Sequence, residues 1–242
     1  MSIYLYGVTR AEVPVPRDAR GVGDPPGKVR KLVAGDLAAV VGDAPEGLRA
    51  RRRYVQAHQS VLLAVAAAGP LLPTRFGVVV ADEAAVTARL HADAAGYTSA
   101  LERVAGRCEL NLKASPVEAG LADLVRSDPR LQRLQQESRR RPGYDVSIRL
   151  GEAVMAGLRR RAAGAAQQVA AALTALADEV APGPDVPGCV LNASFLVAAD
   201  RVAACRAAFD SAAEKLADRA ELRLTGPLPC YSFSGLPAPA GA

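Results

Sequence analysis

The chain has 242 residues, a formal charge of +5 at neutral pH and a pI near 9.2. Half of its residues are hydrophobic and 23% are charged, which excludes an intrinsically disordered chain and suits one large domain or two small ones. Fifty residues are alanine, only 4% are aromatic and tryptophan is absent, so the core has to be built from Leu, Val and Ala at close backbone approach.

Ser2 to Val8 alternates large apolar side chains around Tyr4 and Tyr6 and is expected to open the chain as a strand. Residues 9–27 carry four prolines and read as a loop. Lys28 to Ala34 and Leu37 to Gly42 are β-rich, and Gly35-Asp36 between them is a two-residue hairpin signal that needs a positive φ at the glycine. Residues 45–68 turn helical, with Leu48, Val55, Gln59, Leu62, Leu63 and Ala66 as the expected buried stripe. Residues 71–81 read as a strand containing Pro73-Thr74-Arg75-Phe76-Gly77. Asp82 is a good N-cap for a helix to about Ala105 with Val86, Leu90, Tyr97, Leu101 and Val104 inward. Cys108 to Ser115 alternates again and is expected to complete the first sheet.

The fold class expected is α+β in two domains: residues 1–115 as a ferredoxin-like antiparallel sheet with helices on one face, and residues 145–236 as a smaller α+β unit with long helices. Residues 116–144 read as a helical connecting segment. In the second domain a helix of about 36 residues follows Asp145, then a strand over 189–199, a helix capped by Asp200, and strands over 221–225 and 230–234. The tail, 237–242, is expected to be disordered.

The basic character belongs to one segment. From Arg126 to Arg161 ten arginines face only Asp128, Glu137, Asp145 and Glu152, leaving the rest of the chain nearly neutral. Arg139, Arg140, Arg141, Arg159, Arg160 and Arg161 are its candidate docking face, for an acidic protein surface or for nucleic acid, although Tyr144 is the one aromatic residue in the segment and the aromatics that stack on bases are not interleaved with the arginines. The cysteines at 108, 189, 205 and 230 include no C-x-x-C, which speaks against zinc and dithiol chemistry and for free thiols in a reducing cytoplasm. No signal peptide is expected at the N-terminus. The longest apolar run, Val61 to Leu72, has 12 residues where a membrane span needs about 20.

Chemistry-bearing patterns are few. The histidines, His58 and His91, are not part of an H-E-x-x-H pair, and no metal site is expected. Residues 21–27 have the wrong glycine spacing for a dinucleotide loop, no phosphate-cradling loop exists, and Ser232 and Ser234 lack a nucleophile elbow, so neither a cofactor nor a catalytic residue is assigned. An enzyme would have to use His58 with Arg75 in one deep pocket.

Taken in order, Tyr4-Leu5-Tyr6-Gly7, the hairpin at Gly35-Asp36, His58, Pro73-Thr74-Arg75-Phe76-Gly77, Glu109 to Lys113 and Gly226-Pro227-Leu228-Pro229-Cys230-Tyr231-Ser232-Phe233 resemble the gas vesicle protein F/L family (GvpF/GvpL). The chain departs from the family pattern at Gln59, Val78, Leu110, Asn111, Leu228 and Cys230. The resemblance implies a non-enzymatic assembly factor in the cytoplasm, associated with gas vesicles and contacting the small apolar shell protein and other accessory proteins. It marks Tyr6, His58, Arg75, Phe76, Lys113, Tyr231 and Phe233 as candidate motif or partner-contact residues.

Overall fold

The computed structural model describes residues 2–235, so the expectation for the tail at 237–242 lies outside the described residues. The chain divides into two compact units. One comprises Met1–Glu109 and the returning segment that begins at Pro227; the other is Leu110–Gly226. The α+β class holds, with two antiparallel sheets and seven α-helices among the described residues.

In the first unit β1 (Ile3–Arg10) is central and buried along nearly its whole length. The hairpin β2 (Arg30–Ala34) and β3 (Leu37–Asp43) closes at Ala34↔Leu37, and Gly35 takes φ +61° as the tight turn demands. β3 pairs with β1 from Ile3↔Asp43 to Arg10↔Leu37, with a register shift between Leu5 and Gly7. On the other side of β1 lie β4 (Leu71–Pro73) and β5 (Val79–Val80). The segment read as one strand over 71–81 is therefore two short strands separated by a turn, because Gly77 adopts φ +93° and reverses the chain.

The first helix, α1 (Arg52–Ala66), starts later than its periodicity suggests. Residues 45–51 stay open, and Gly47 holds φ +59° there. The buried face also differs from the expected stripe. His58, Val61, Leu62 and Val65 point inward, while Val55 and Leu63 are exposed. Burying Val61, Leu62 and Val65 stabilises the unit by about 1.5–3 kcal/mol each before ordering costs. The long helix expected after Asp82 is two, α2 (Glu83–Ala92) and α3 (Ala94–Val104), broken at Asp93, where the backbone leaves helical geometry. Asp82 caps α2 as expected, its Oδ1 accepting from the Ala85 N–H at 2.7 Å. Val86, Leu90, Tyr97, Leu101 and Val104 are all buried.

The larger departure concerns β6 (Arg107–Pro116). Its alternation is as expected, with Leu110 and Leu112 buried and Lys113 exposed. It joins the second sheet, however, and does not complete the first. Alternation reports which face of a strand is buried and carries no information about its neighbour. Helices α4 (Leu121–Ser127), α5 (Pro129–Arg140) and α6 (Tyr144–Thr174) follow. The end of the expected long helix is instead β7 (Glu179–Pro182), paired with β8 (Leu191–Ala198) from Glu179↔Leu196 to Pro182↔Ala193. Asp200 falls in a short 3-10 turn and caps nothing; α7 runs from Val202 to Leu216. The two closing strands are one, β9 (Ala220–Leu228), and Tyr231–Phe233 forms a 3-10 turn.

The second sheet has the order β7-β8-β6-β9. Counted from β6, this unit is strand–helices–strand–strand–helix–strand with the complete ferredoxin-like strand order. The first sheet has the corresponding order β2-β3-β1-β4, but residues 11–29 form a loop where the first crossover helix would stand. In the second unit Ala162, Ala165, Val169 and Leu173 of α6 pack with Leu110, Leu112, Phe195 and Val197. Alanine there lets the helix approach the sheet closely.

Candidate functional site

The motif residues meet in the first unit. Tyr4 and Tyr6 stand two apart on β1, so both rings leave the same face, and they lie 4.8 Å apart between centroids. The His58 ring, brought over them by α1, stacks on Tyr6 at 5.6 Å and meets Tyr4 edge-on at 5.7 Å. Phe76 closes the group against Tyr4 at 6.1 Å and His58 at 5.8 Å. These edge and offset contacts suit ring quadrupoles. Tyr231, from the returning segment, packs against the same cluster.

The polar tips of Tyr4, Tyr6 and His58 all have partners. The Thr74 carbonyl 3.2 Å from His58 Nε2 can only accept, so Nε2 carries the proton. Nδ1 then accepts from the Tyr4 hydroxyl at 3.0 Å, and the Tyr4 oxygen accepts from the Gly77 N–H at 3.2 Å. The Thr74 hydroxyl donates to the Leu5 and Tyr6 carbonyls at 2.6 and 2.8 Å. The Tyr6 hydroxyl accepts from the Val22 N–H at 2.7 Å and thereby holds the 11–29 loop. Burial pushes the His58 pKa down to about 4, opposed only in part by the Thr74 bond, and raises those of Tyr4 and Tyr6. His58 is thus a neutral, fully engaged histidine at the hub of the first unit.

A second anchor ties the closing motif down. Glu109, 4% exposed, accepts from the Ser232 N–H at 2.7 Å and the Ser232 hydroxyl at 2.9 Å. Burial and the nearby Glu109 carboxylate push the Tyr231 pKa up to about 12. Phe233 is buried, with the Arg103 guanidinium 5.9 Å from its ring centroid. Tyr4, Thr74, Glu109 and Ser232 were not among the candidate residues. The shared parity of Tyr4 and Tyr6 was a usable signal, whereas Glu109 finds its partner 123 residues away and nothing local announces it.

The structure gathers Tyr6, His58, Phe76 and Tyr231, but not the other candidates. Arg75 sits in the turn after β4 and is exposed. His58 is 2% exposed, so the two do not line a common pocket. Lys113 lies in the second unit, exposed on β6. Of the basic face, Arg160 pairs with Asp128 at 3.5 Å, and Arg161 donates to the Gly120 carbonyl and to Asp218 at 2.9 and 2.5 Å. Arg139, Arg140, Arg141 and Arg159 are exposed and make no ion pair among the described residues. A cleft of about 660 Å³ between α5 and α6 is lined by charges of both signs, including Arg133, Arg149, Glu137 and Glu152. Among the described residues no cluster of three or more His, Cys, Asp or Glu could hold a metal, and no helix is long and apolar enough to cross a membrane. All four cysteines are free thiols, two of them buried.

Comparison with known proteins adds the remaining observation. Residues 2–235 match the family model described as gas vesicle synthesis protein GvpL/GvpF. Gas vesicle protein F of Streptomyces sp. (strain CB03234) is 41% identical over 237 residues, covering 96% of this chain and 99% of the relative. Gas vesicle protein L of the same strain is 32% identical, covering 96% and 92%. The crystal structure of GvpF from Anabaena sp. PCC7120 superposes with a TM-score of 0.77 over 98% of this chain and 99% of that one; at 24% identity this shows a shared fold. An ordered set of motifs spread over the whole chain, a fold that brings Tyr4, Tyr6, His58, Phe76 and Tyr231 of those motifs into one cluster, and matches that run end to end agree: the chain belongs to the gas vesicle GvpL/GvpF family.

Proposed function

We propose that this protein is a non-enzymatic accessory factor of gas vesicle assembly, acting in the cytoplasm by binding the small apolar shell protein and other vesicle proteins. The end-to-end family match carries this reading. The chemistry of the motif residues supports it. Both His58 nitrogens are committed to internal hydrogen bonds, and Tyr4, Tyr6 and Thr74 are spent on the same network, so the motif builds a rigid unit. A subunit destined to line a gas space exposes apolar surface before it assembles. A soluble partner that covers this surface, or pairs with its edge strands, keeps it from aggregating until it joins the wall.

The test is the purified full chain mixed with the shell protein. Equimolar chain is expected to bind it and to slow its aggregation; neither binding nor slowing removes the reading. The nucleic-acid alternative makes a different prediction, micromolar binding at low salt that falls steeply as salt rises. The mixed-sign cleft and the internal ion pairs of Arg160 and Arg161 weigh against it.

A further inference from the structure

Helix α6 carries one continuous seam. Tyr144, Ile148, Gly151, Met155, Leu158, Ala162, Ala165 and Val169 follow one another at spacings of four and three, the spacing that keeps side chains on a single line facing a partner. The seam is covered over only part of its length. Leu158 is buried, and Ala162, Ala165 and Val169 belong to the second unit's core. Tyr144, Ile148 and Met155 are 82%, 42% and 53% exposed, and a Cβ placed on Gly151 would meet nothing within 4 Å. Three turns of the core-facing stripe, about 16 Å, thus run on without a cover. Helices α4 and α5 do not supply it. Leu124 of α4 approaches Gly157, and α5 shares its cleft with Arg149, Glu152, Ala153, Ala156 and Arg160, positions turned away from the seam.

Charge borders this open stretch. Arg139, Arg140 and Arg141 stand just before its first residue, and Arg159 stands one turn beyond Met155, all exposed and without ion-pair partners among the described residues. Asp145 and Glu152 are the carboxylates along its side, so the border is net basic. A second copy of this chain laid antiparallel on the stripe would bring Arg159 against the partner's arginine cluster, and like charges there oppose it.

We infer that the open seam of α6, Tyr144 to Met155, is a docking face for an amphipathic helix of about three turns whose apolar stripe is bordered by Asp or Glu. The 4-3-4 spacing selects a helix as occupant, with Gly151 as the hole for a large side chain. The unpaired arginines select its charge and steer its approach. Partner identity as a vesicle protein rests on the assembly role proposed above; the chemistry of the face does not.

The probe is a synthetic helical peptide of about 14 residues with leucines at 4-3-4 spacing and glutamates on the borders, together with a twin that carries lysines in their place. The chain has two methionines, so methyl-labelled protein gives a single internal signal, from Met155. On adding the acidic peptide this signal is expected to shift, with micromolar affinity that weakens as salt rises. The double variant Ile148→Asn/Met155→Asn, at exposed positions that leave the fold intact, is expected to bind at least tenfold more weakly, and Arg141→Glu/Arg159→Glu likewise. Equal binding of the lysine twin, unchanged binding by either variant, or no binding overturns the inference. So does a wild-type dimer in sedimentation that Ile148→Asn/Met155→Asn converts to monomer, which would make the face a self-interface. Failure here leaves the shell-protein assay untouched, and failure of that assay leaves the docking face standing.

Discussion

Lowering the pH should loosen the first unit through His58. In the folded chain its pKa is about 4, and in the unfolded chain about 6.5. Between these values the unfolded state binds the extra proton, so stability is fully present above pH 6.5 and is lost as the pH falls toward 4. The linkage relation gives a loss of about 2 kcal/mol at pH 5 and about 3 kcal/mol below pH 4. For a chain of this size the loss at pH 5 lowers Tm by about 4–8 °C. Carboxylates titrate in the same range, so the assay compares wild type with His58→Gln. The glutamine amide can accept from Tyr4 and donate to Thr74 without gaining a charge. Urea unfolding at pH 7.5, 6, 5 and 4.5 should give a steeper stability loss for wild type, with the two curves diverging by about 2 kcal/mol at pH 5. Parallel curves, or a His58 ring that titrates above pH 6 by NMR, would refute the reasoning.

Three further perturbations test the contacts that build the motif cluster. Tyr4→Phe removes the hydroxyl between the Gly77 N–H and His58 Nδ1 and should cost about 1–3 kcal/mol, read by urea unfolding; a change under half a kcal/mol would mean the network is not formed. Gly7→Ala places a Cβ 2.5 Å from the Leu72 carbonyl oxygen, which forces β1 and β4 apart, with about 1–3 kcal/mol lost and faster amide exchange at Leu71 and Leu72. Glu109→Ala removes the carboxylate that accepts from the Ser232 N–H and hydroxyl, so exchange protection at residues 230–235 should fall by at least tenfold while β1 to β3 stay protected; uniform protection would show that the closing segment is held by other contacts.

Much of this molecule was legible before folding. The Gly35-Asp36 turn, the Asp82 cap and the inward face of α2 and α3 are local: one residue's φ, one side chain's reach to a backbone N–H, one 3.6-residue period. Such features need no knowledge of the rest of the chain. Local signals also misled where two answers share one pattern. Val180 continues the spacing of α6 yet lies on β7, because pairing with β8 outweighs propensity once Leu173 has ended the packed stripe. The α1 stripe was displaced by one position because an aromatic pair on β1 offers His58 two ring faces and a hydroxyl, and no count of apolar residues registers that attraction.

By itself, then, the sequence determined the α+β class, most elements, and the ordered motifs that mark the family, since these rest on short-range periodicity and on residue identity. Tertiary structure alone decided that β6 is the first strand of the second sheet, that His58 is a buried neutral hub with Arg75 left in solvent, and that part of the α6 seam is open. Each of these depends on which surfaces meet across 50 to more than 100 residues of chain. Hydrophobic burial, which drives such meetings, is non-directional: its periodicity marks which face of an element is buried and not the surface that will cover it.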